Sequence, residues 1–514
     1  MIRSFGRTLG VALLYLVGAA HVGSPDTWFE GNAGPYRVTV QVVPAGVVPG
    51  VAEVFVRVTG EAATGVSVHA NKFDATGGAP PPEPATAVAG DPGLYAGKLW
   101  IMSGGSNSVT VTVKGAKGTG TAVVPVVVVA YARLGLDKPM AAGLAAMGIF
   151  LFVGLVTIMG AAVREGVLAP GEVPGSERQR KSRFAMAITS VVLVALLSGG
   201  WRWWNAEETA YVNGMFKPLS ASASIREEAA GRVLSLSIVD SAWVHRNDTA
   251  WLRQRGSSSW TPLVEDHGKL VHMFAIREDM GAFAHLHPSS SDSVTFPSAL
   301  PPLPSGKYRV FADIVHESGF TQTLVTGVDV PAAVQSTRLP TATGNGDDAW
   351  FAGPVVKGAS TFAIDSATMI EWTGVGAKLV AGRPAPLTFE IRNTDGSAAT
   401  LEPYMGMPGH AVVARKDGAV FVHLHPAGTI SMASQMAFVM REPGDTVRGR
   451  LGKRISGMEM KGRADAAVVS NTLSFPYAFP KPGEYRVWVQ VKRRGQVLTG
   501  AFDATVSEVP AEGR

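Results

Sequence analysis

The sequence predicts a mainly β protein in which three extracytoplasmic β-sandwich units are carried on two transmembrane α-helices. Three observations predict this. Residues 36–42, 54–58 and 108–113 alternate apolar and polar side chains with period two, between Gly/Pro-rich turns. Two runs, 140–163 and 184–201, carry no charge at all. The 514 residues include 59 Gly and 33 Pro but only 17% charged side chains, a turn-rich and charge-poor balance that disfavours coiled coils.

Taken in order, residues 1–20 carry Arg3 and Arg7, an apolar run at 9–17 and then Gly18-Ala19-Ala20, the pattern of a secretory signal peptide. Cleavage after Ala20 makes His21 the first residue. Residues 21–139 are expected to form an N-terminal β-sandwich, with 77–85 (GGAPPPEPA) as a solvated loop because consecutive prolines cannot serve a central ladder. Residues 140–163 are long enough, at 1.5 Å per residue, to cross a hydrocarbon core of roughly 30 Å. A second span at 184–204 ends in Trp201, Trp203 and Trp204, an aromatic belt. The connector 164–183 holds Arg164, Arg178, Arg180, Lys181 and Arg183, and the positive-inside rule puts it in the cytoplasm. Both flanking regions then lie on the extracytoplasmic side of a bacterial inner membrane, in agreement with the signal peptide.

The region after the second span is duplicated. At an offset of 138 residues Leu263 falls on Leu401, Gly268 on Gly406, His272 on His410, and His285-Leu286-His287-Pro288 on His423-Leu424-His425-Pro426. Farther on, Gly306-Lys-Tyr-Arg-Val matches Gly483-Glu-Tyr-Arg-Val, so the second copy carries an insertion near 430–470. Two β-sandwich modules follow, at 206–333 and 345–510, of Ig-like or cupredoxin-like type, joined by a linker at 336–347.

In the N-terminal unit, Gly34-Pro-Tyr-Arg-Val, Val48-Pro-Gly and Gly93-Leu-Tyr-Ala-Gly resemble the FixH/YtkA-like group of extracytoplasmic β domains. The two later units, with their His-x-His-Pro signature, resemble bacterial extracytoplasmic modules found in metal-handling contexts. That resemblance implies metal chemistry without supplying a reaction.

The absence of cysteine removes disulfides, thiolate zinc sites, iron–sulfur clusters and cysteine nucleophiles together. A formal charge of +5, from 46 Lys+Arg against 41 Asp+Glu spread without a basic stripe, argues against nucleic acid as a partner. Any metal must therefore sit on His, Met or oxygen. Seven of the 11 histidines lie in or just before the duplicated hairpin. His285 and His287, like His423 and His425, are two apart on a strand, so period two puts both imidazoles of each pair on one face. In the second module, a turn centred on 416–417 sets His410 opposite His423, and one centred on 417–418 sets it opposite His425. A slip by one residue would send it to the other face. His272 has the same relation to its own pair.

Five residues before the first histidine stand His267 in one module and Met405 in the other. Imidazole serves copper and zinc alike, whereas thioether selects Cu(I), so this exchange favours copper, with zinc as the alternative. The second module also offers Met407, whereas the insertion methionines Met432, Met436, Met440, Met458 and Met460 are expected mainly to fill core. A cupin-like metalloenzyme would need an acid a few residues after each His pair. Only Asp292 follows His287, none follows His425, and His316-Glu317 has no counterpart in the second module. At the N-terminus, a free His21 could chelate copper through its amine and imidazole with His69 completing the site, or His21 could simply follow the cleavage point.

These readings converge on a membrane-anchored periplasmic metal-binding protein, with copper held by His267, His272, His285, His287, Met405, His410, His423, His425 and His21, for storage, delivery or resistance. No catalytic residue is identified. The alternative is an accessory protein of a membrane transporter or complex, with structural histidines. The expected partners are the metal ion, the membrane and a transporter or metalloenzyme being metallated.

Overall fold

The computed structural model describes residues 26–73, 80–229, 231–248, 250, 260–332, 345–374, 378–442, 449–462 and 469–509. The signal-peptide segment, His21 and most of the linker lie outside them. The chain is mainly β, with two long apolar helices, and it divides into one unit of residues 1–128 and 217–514 and another of residues 129–216.

The N-terminal part contains β1 (Thr27–Ala33), β2 (Tyr36–Val43), β3 (Gly50–Thr59), β4 (Ala63–Lys72), β5 (Glu83–Ala87), β6 (Leu94–Ile101), β7 (Gly105–Gly115) and β8 (Gly118–Val128). They join in the order β1-β2-β3-β6-β5-β4-β7-β8. Alternation makes these strands: Tyr36, Val38, Val40 and Val42 are buried while Arg37 between them is exposed. Gly34 begins the two-residue β1–β2 turn at φ 58°, a left-handed conformation that suits glycine. The proline tract is not all loop. Its described end is β5, which pairs with β4 through Val66↔Ala85 and with β6 through Thr86↔Ala96. Because β5 is short and mostly exposed, its one proline, Pro84, leaves no buried ladder donor missing.

The second unit is a helical hairpin of α1 (Lys138–Glu165) and α2 (Ser176–Gly214), both long and apolar enough to cross a membrane. The Asp137 carboxylate caps α1 by accepting the Met140 N–H at 3.1 Å. The helices touch where Gly160 leaves room for Met186, and Ser182 Oγ donates to the Gly160 carbonyl at 2.6 Å. At the other end, Arg133 pairs with Glu208 and the Tyr211 hydroxyl donates to the Ala132 carbonyl. The connecting loop is shorter than 164–183. Arg178, Arg180, Lys181 and Arg183 already lie on α2, since Arg and Lys are good helix formers outside an apolar run.

The first module holds β9 (Ala221–Glu228), β10 (Gly231–Ile238), α3 (Ser241–Val244), β11 (Leu263–Val264), β12 (His272–Arg277), β13 (Ala282–Leu286), β14 (Thr295–Ala299), β15 (Gly306–His316) and β16 (Thr321–Val330). One sheet runs β14-β10-β9. The other runs β11-β15-β12-β13, with β16 also on β15, and it is extended by β17 (Ala349–Ala352) from the far side of the linker. The second module holds β18 (Thr361–Ala363), β19 (Thr368–Trp372), β20 (Leu387–Asn393), β21 (His410–Arg415), β22 (Phe421–Leu424), β23 (Thr472–Phe475), β24 (Gly483–Arg493) and β25 (Gln496–Val506). Its sheets are β18-β19-β20-β23 and β22-β21-β24-β25. The insertion forms α4 (Met432–Met440) and α5 (Arg450–Gly462).

The duplication is visible in the pairing. β12, β13, β15 and β16 are joined as β21, β22, β24 and β25 are. Each of these sheets is buried on both faces. In the first module Met273, Ala275, Ala284 and Leu286 face that module's own core, while Phe274, Ile276 and Phe283 belong to a second core shared with Val412, Ala414, Phe421 and Trp488 of the other module. Phe283 stacks on Trp488 with ring centroids 4.8 Å apart, and Phe311 on Phe421 at 4.3 Å. The two sheets therefore pack face to face, and the histidines continue that shared face.

Candidate metal centre

The hairpin registers decide where the histidines point. Pairing of Met273 with Leu286 and of Phe274 with His285, continued by one residue, sets His272 opposite His287. Pairing of Ala411 with Leu424 likewise sets His410 opposite His425, so the turn centres on 417–418. All three hairpin histidines of each module thus project from the face turned towards the other module.

The consequence differs from the sequence expectation. The histidines do not divide into one site per module. His267 of the first module groups with His410 and His425 of the second, and His272 and His285 of the first with His423 of the second. Within each group the potential ligand atoms lie within 4.8 Å of one another, and all six residues are buried. The two groups adjoin, with the His423 and His425 rings 4.5 Å apart. His287 lies beside them, 4.4 Å from His285 and 5.1 Å from His272 between centroids.

Hydrogen bonds orient these rings. His285 Nδ1 donates to Gln490 Oε1 at 2.8 Å, and His423 Nδ1 stands 3.6 Å from Asp313 Oδ2. Gln490 pairs with His410 on β24, and Asp313 pairs with His272 on β15, so these are equivalent positions, each supporting the other module's histidine. His287 Nδ1 donates to the Asp348 carboxylate and His425 Nδ1 to the Ile430 carbonyl, both at 2.9 Å. His272 Nε2 donates to the Asp266 carbonyl at 3.1 Å. His272 Nδ1 and His285 Nε2 face each other at 3.2 Å, and with the opposite nitrogen of each ring donating to its acceptor both present lone pairs there. Nε2 of His287, His423 and His425 and both ring nitrogens of His410 are buried without a hydrogen-bond partner among the described residues. One ring nitrogen anchored as donor and the other presented as a lone pair is the arrangement of metal-bound imidazole.

Electrostatics agree with that donor role. Burial holds the imidazoles of His272 and His425 down to about 4, and those of His285, His287, His410 and His423 well below the ordinary 6.5. All are neutral lone-pair donors at neutral pH. Burial also pushes the Asp313 carboxyl up to about 7 and Asp348 to about 6. His316 offers an internal contrast. Its Nδ1 meets the Thr261 carbonyl and its Nε2 the Gln322 amide, so it is a satisfied core histidine. Glu317 accepts the N–H groups of Gly449 and Gly452, which commits to the α5 N-terminus the acid a cupin-like reading would use.

The N-terminal sheet and the insertion help hold the centre. The Glu30 N–H donates to the Ala427 carbonyl, the Thr429 N–H to that of Trp28, and the Trp28 N–H to Thr429 Oγ1. The Ile430 side chain joins the N-terminal core while its carbonyl holds His425. Met436 and Met440 pack against the core formed by Val264, Val315, Ala433, Ala437, Leu451 and Ile455, as core filling requires. His69 lies on β4 and belongs to neither histidine group, and its proposed partner His21 is outside the described residues. Asp313, Gln490, Asp348 and Ile430 escaped the sequence reading. The first two occupy aligned strands and could have been found only by asking which residues pair with His272 and His410.

The chain matches a family model described as Domain of unknown function (DUF8832) over residues 237–332 and 364–508, which include all seven clustered histidines. No protein of curated function matches it. Among solved structures, it is similar to an engineered protein at 20% identity, spanning 17% of this chain and 19% of that one with a TM-score of 0.14. It is also similar to a tetra-tandem repeat from the extending region of a large adhesion protein, at 10% identity over 90% and 71% of the two chains, TM-score 0.15. For the ICAM-5 D1-D4 ectodomain fragment the values are 8%, 90%, 75% and 0.14. Likeness at these TM-scores carries no argument about function.

Proposed function

We propose that this chain is a membrane-anchored metal-binding protein whose two sandwich modules hold copper between them, for storage, delivery or resistance. The observation that carries the proposal is the pair of lone pairs on His272 Nδ1 and His285 Nε2, facing each other at 3.2 Å while the opposite nitrogen of each ring is committed as a donor. Buried acceptors in that position repel unless a cation or proton lies between them. A proton of the other neutral tautomer or a metal ion would relieve that repulsion, and the buried Nε2 atoms of His287, His410, His423 and His425 in the same cluster, unpartnered among the described residues, favour the ion. Its chemistry would be that of a soft-to-borderline ion on neutral imidazoles, and the residues of this chain supply orientation, desolvation and the anchoring acceptors.

The charge of the surroundings favours Cu(I). Born desolvation grows with the square of the charge, so a monovalent ion incurs roughly a quarter of the cost of a divalent one in the same neutral ligand set. The FixH/YtkA-like resemblance of the N-terminal unit fits the same extracytoplasmic setting. So does the topology: residues 26–128 and 217–509 belong to one unit, which requires an even number of crossings between them, and α1 and α2 form a hairpin.

The test is metal analysis of the full chain, purified in detergent after expression with added copper or zinc. Copper retained at two or more ions per chain, and lost when His272 and His425 are both replaced by Ala, is the expected result. A chain that retains neither metal would overturn the proposal and leave an accessory protein with structural histidines.

A further inference from the structure

The centre has an approximate twofold relation that its two three-histidine groups do not exhaust. The 138-residue offset holds in the backbone as well as in the sequence. Asp266 bridges to Lys269 as Tyr404 bridges to Met407. His267 and Met405 both take left-handed conformations, at φ 55° and 52°, each followed by a left-handed glycine, Gly268 at 73° and Gly406 at 81°. Such a φ costs a non-glycine residue of order 1–3 kcal/mol and persists where the surroundings require the side chain in one place. Both side chains are buried to 5% exposure.

The partners follow from the crossing. His267, on the approach loop of the first module, groups with His410 and His425 of the second. The same relation would set the matching residue, Met405 on the approach loop of the second module, with the first module's outer histidine, His287. Four observations agree. The His272–His287 and His410–His425 rings are both 5.1 Å apart. His287 and His425 are each anchored through Nδ1 and present a buried Nε2 that has no hydrogen-bond partner among the described residues. Asp266, on one approach loop, accepts the Ala433 N–H beyond His425. Tyr404, on the other, donates its hydroxyl to the carbonyl of Asp347, next to the Asp348 that anchors His287.

We infer a third metal position, formed where Met405 of the second module meets His287 of the first, and selective for Cu(I). It deepens the copper reading above and rests on it. A thioether and an imidazole make a neutral set that suits Cu(I), which accepts few ligands, and suits Zn(II) poorly. Met405 is therefore not a ligand of its own module's histidines, as the sequence had suggested, but the soft end of a site that crosses the interface.

The experiment loads the full chain in detergent with Cu(I) anaerobically, against a competing chelator, and reads bound copper and X-ray absorption. Wild type should retain one equivalent more Cu(I) than Zn(II), with a sulfur scatterer in the copper shell. Met405→Leu, which preserves volume, should lose that equivalent and the sulfur signal while keeping the remaining copper. Met405→His should keep the equivalent, lose the sulfur signal and admit zinc. Copper binding that is identical in wild type and Met405→Leu, with no sulfur scatterer in either, would overturn the third site while leaving the histidine groups standing. A wild-type chain that takes up no copper would remove those groups and this site together.

Discussion

Replacing Gly428 by alanine should weaken one of the two proposed copper positions and spare its neighbour. Gly428 sits at φ 116°, and a Cβ there would collide with the Trp28 carbonyl oxygen, so β1 must withdraw. Three hydrogen bonds go with it: Glu30 N–H to Ala427 at 2.8 Å, Thr429 N–H to Trp28 at 3.0 Å, and Trp28 N–H to Thr429 Oγ1 at 2.9 Å. At ~1 kcal/mol each, with ~1–2 kcal/mol for a left-handed alanine, the local cost is about 4–5 kcal/mol. Ile430 then loses its seat in the N-terminal core, and its carbonyl its hold on His425 Nδ1. Loss of such an anchoring acceptor weakens a metal by ~10–100-fold. Competition titration of the full chain with a Cu(I) chelator should show that loss for the ion on His267, His410 and His425. The ion on His272, His285 and His423 should keep its affinity. Unchanged binding of both ions would refute the coupling of the N-terminal sheet to the centre.

Three other perturbations test neighbouring steps. Gln490→Leu removes the acceptor of His285 Nδ1, and the ion held with His272 and His423 should bind ~10–100-fold more weakly in the same titration; equal affinity would show that the ring is oriented by packing alone. Acid should destabilise the metal-free protein. His272, His316 and His425 are held at about 4 when folded, against 6.5 unfolded, so below pH 6.5 the unfolded chain takes up protons that the folded chain refuses. The contribution of these histidines is therefore complete above pH 6.5 and falls towards pH 4, by roughly 3 kcal/mol per group at 1.36 kcal/mol per unit, and the raised carboxyls of Asp313 and Asp348 offset part of it; a melting temperature that rises from pH 7 to 5 would contradict this burial. Reporter fusions after Ala130 and Glu208 should be periplasm-active and one at Gly175 cytoplasm-active, because Arg178, Arg180, Lys181 and Arg183 cluster at the start of α2; a cytoplasm-active fusion at 208 would remove the two-span reading.

Much of the local structure was legible in the chain. Alternation found β2, β3 and β7, charge-free runs found α1 and the apolar part of α2, and the 138-residue offset found two hairpins of equal pairing. It also singled out all seven histidines of the cluster and the His267/Met405 pair. These are properties of short segments, set by backbone periodicity, by the length of an apolar run and by descent from one repeated unit. The polar ends of α2 and the strand at 83–87 were less visible, because helix propensity and edge pairing leave no apolar signature.

The grouping of the histidines was decided only by tertiary structure. β12, β13, β21 and β22 are apolar on both faces, so alternation cannot tell which face serves the module's own core and which meets a partner. Face-to-face packing of the two sheets brought together side chains some 140 residues apart, grouped histidines of one module with those of the other, and set Asp313 and Gln490 behind histidines that are not their own. Sequence spacing determines which residues of one strand share a face. What lies opposite that face is settled by which apolar surfaces bury each other, and that is a property of the whole folded unit.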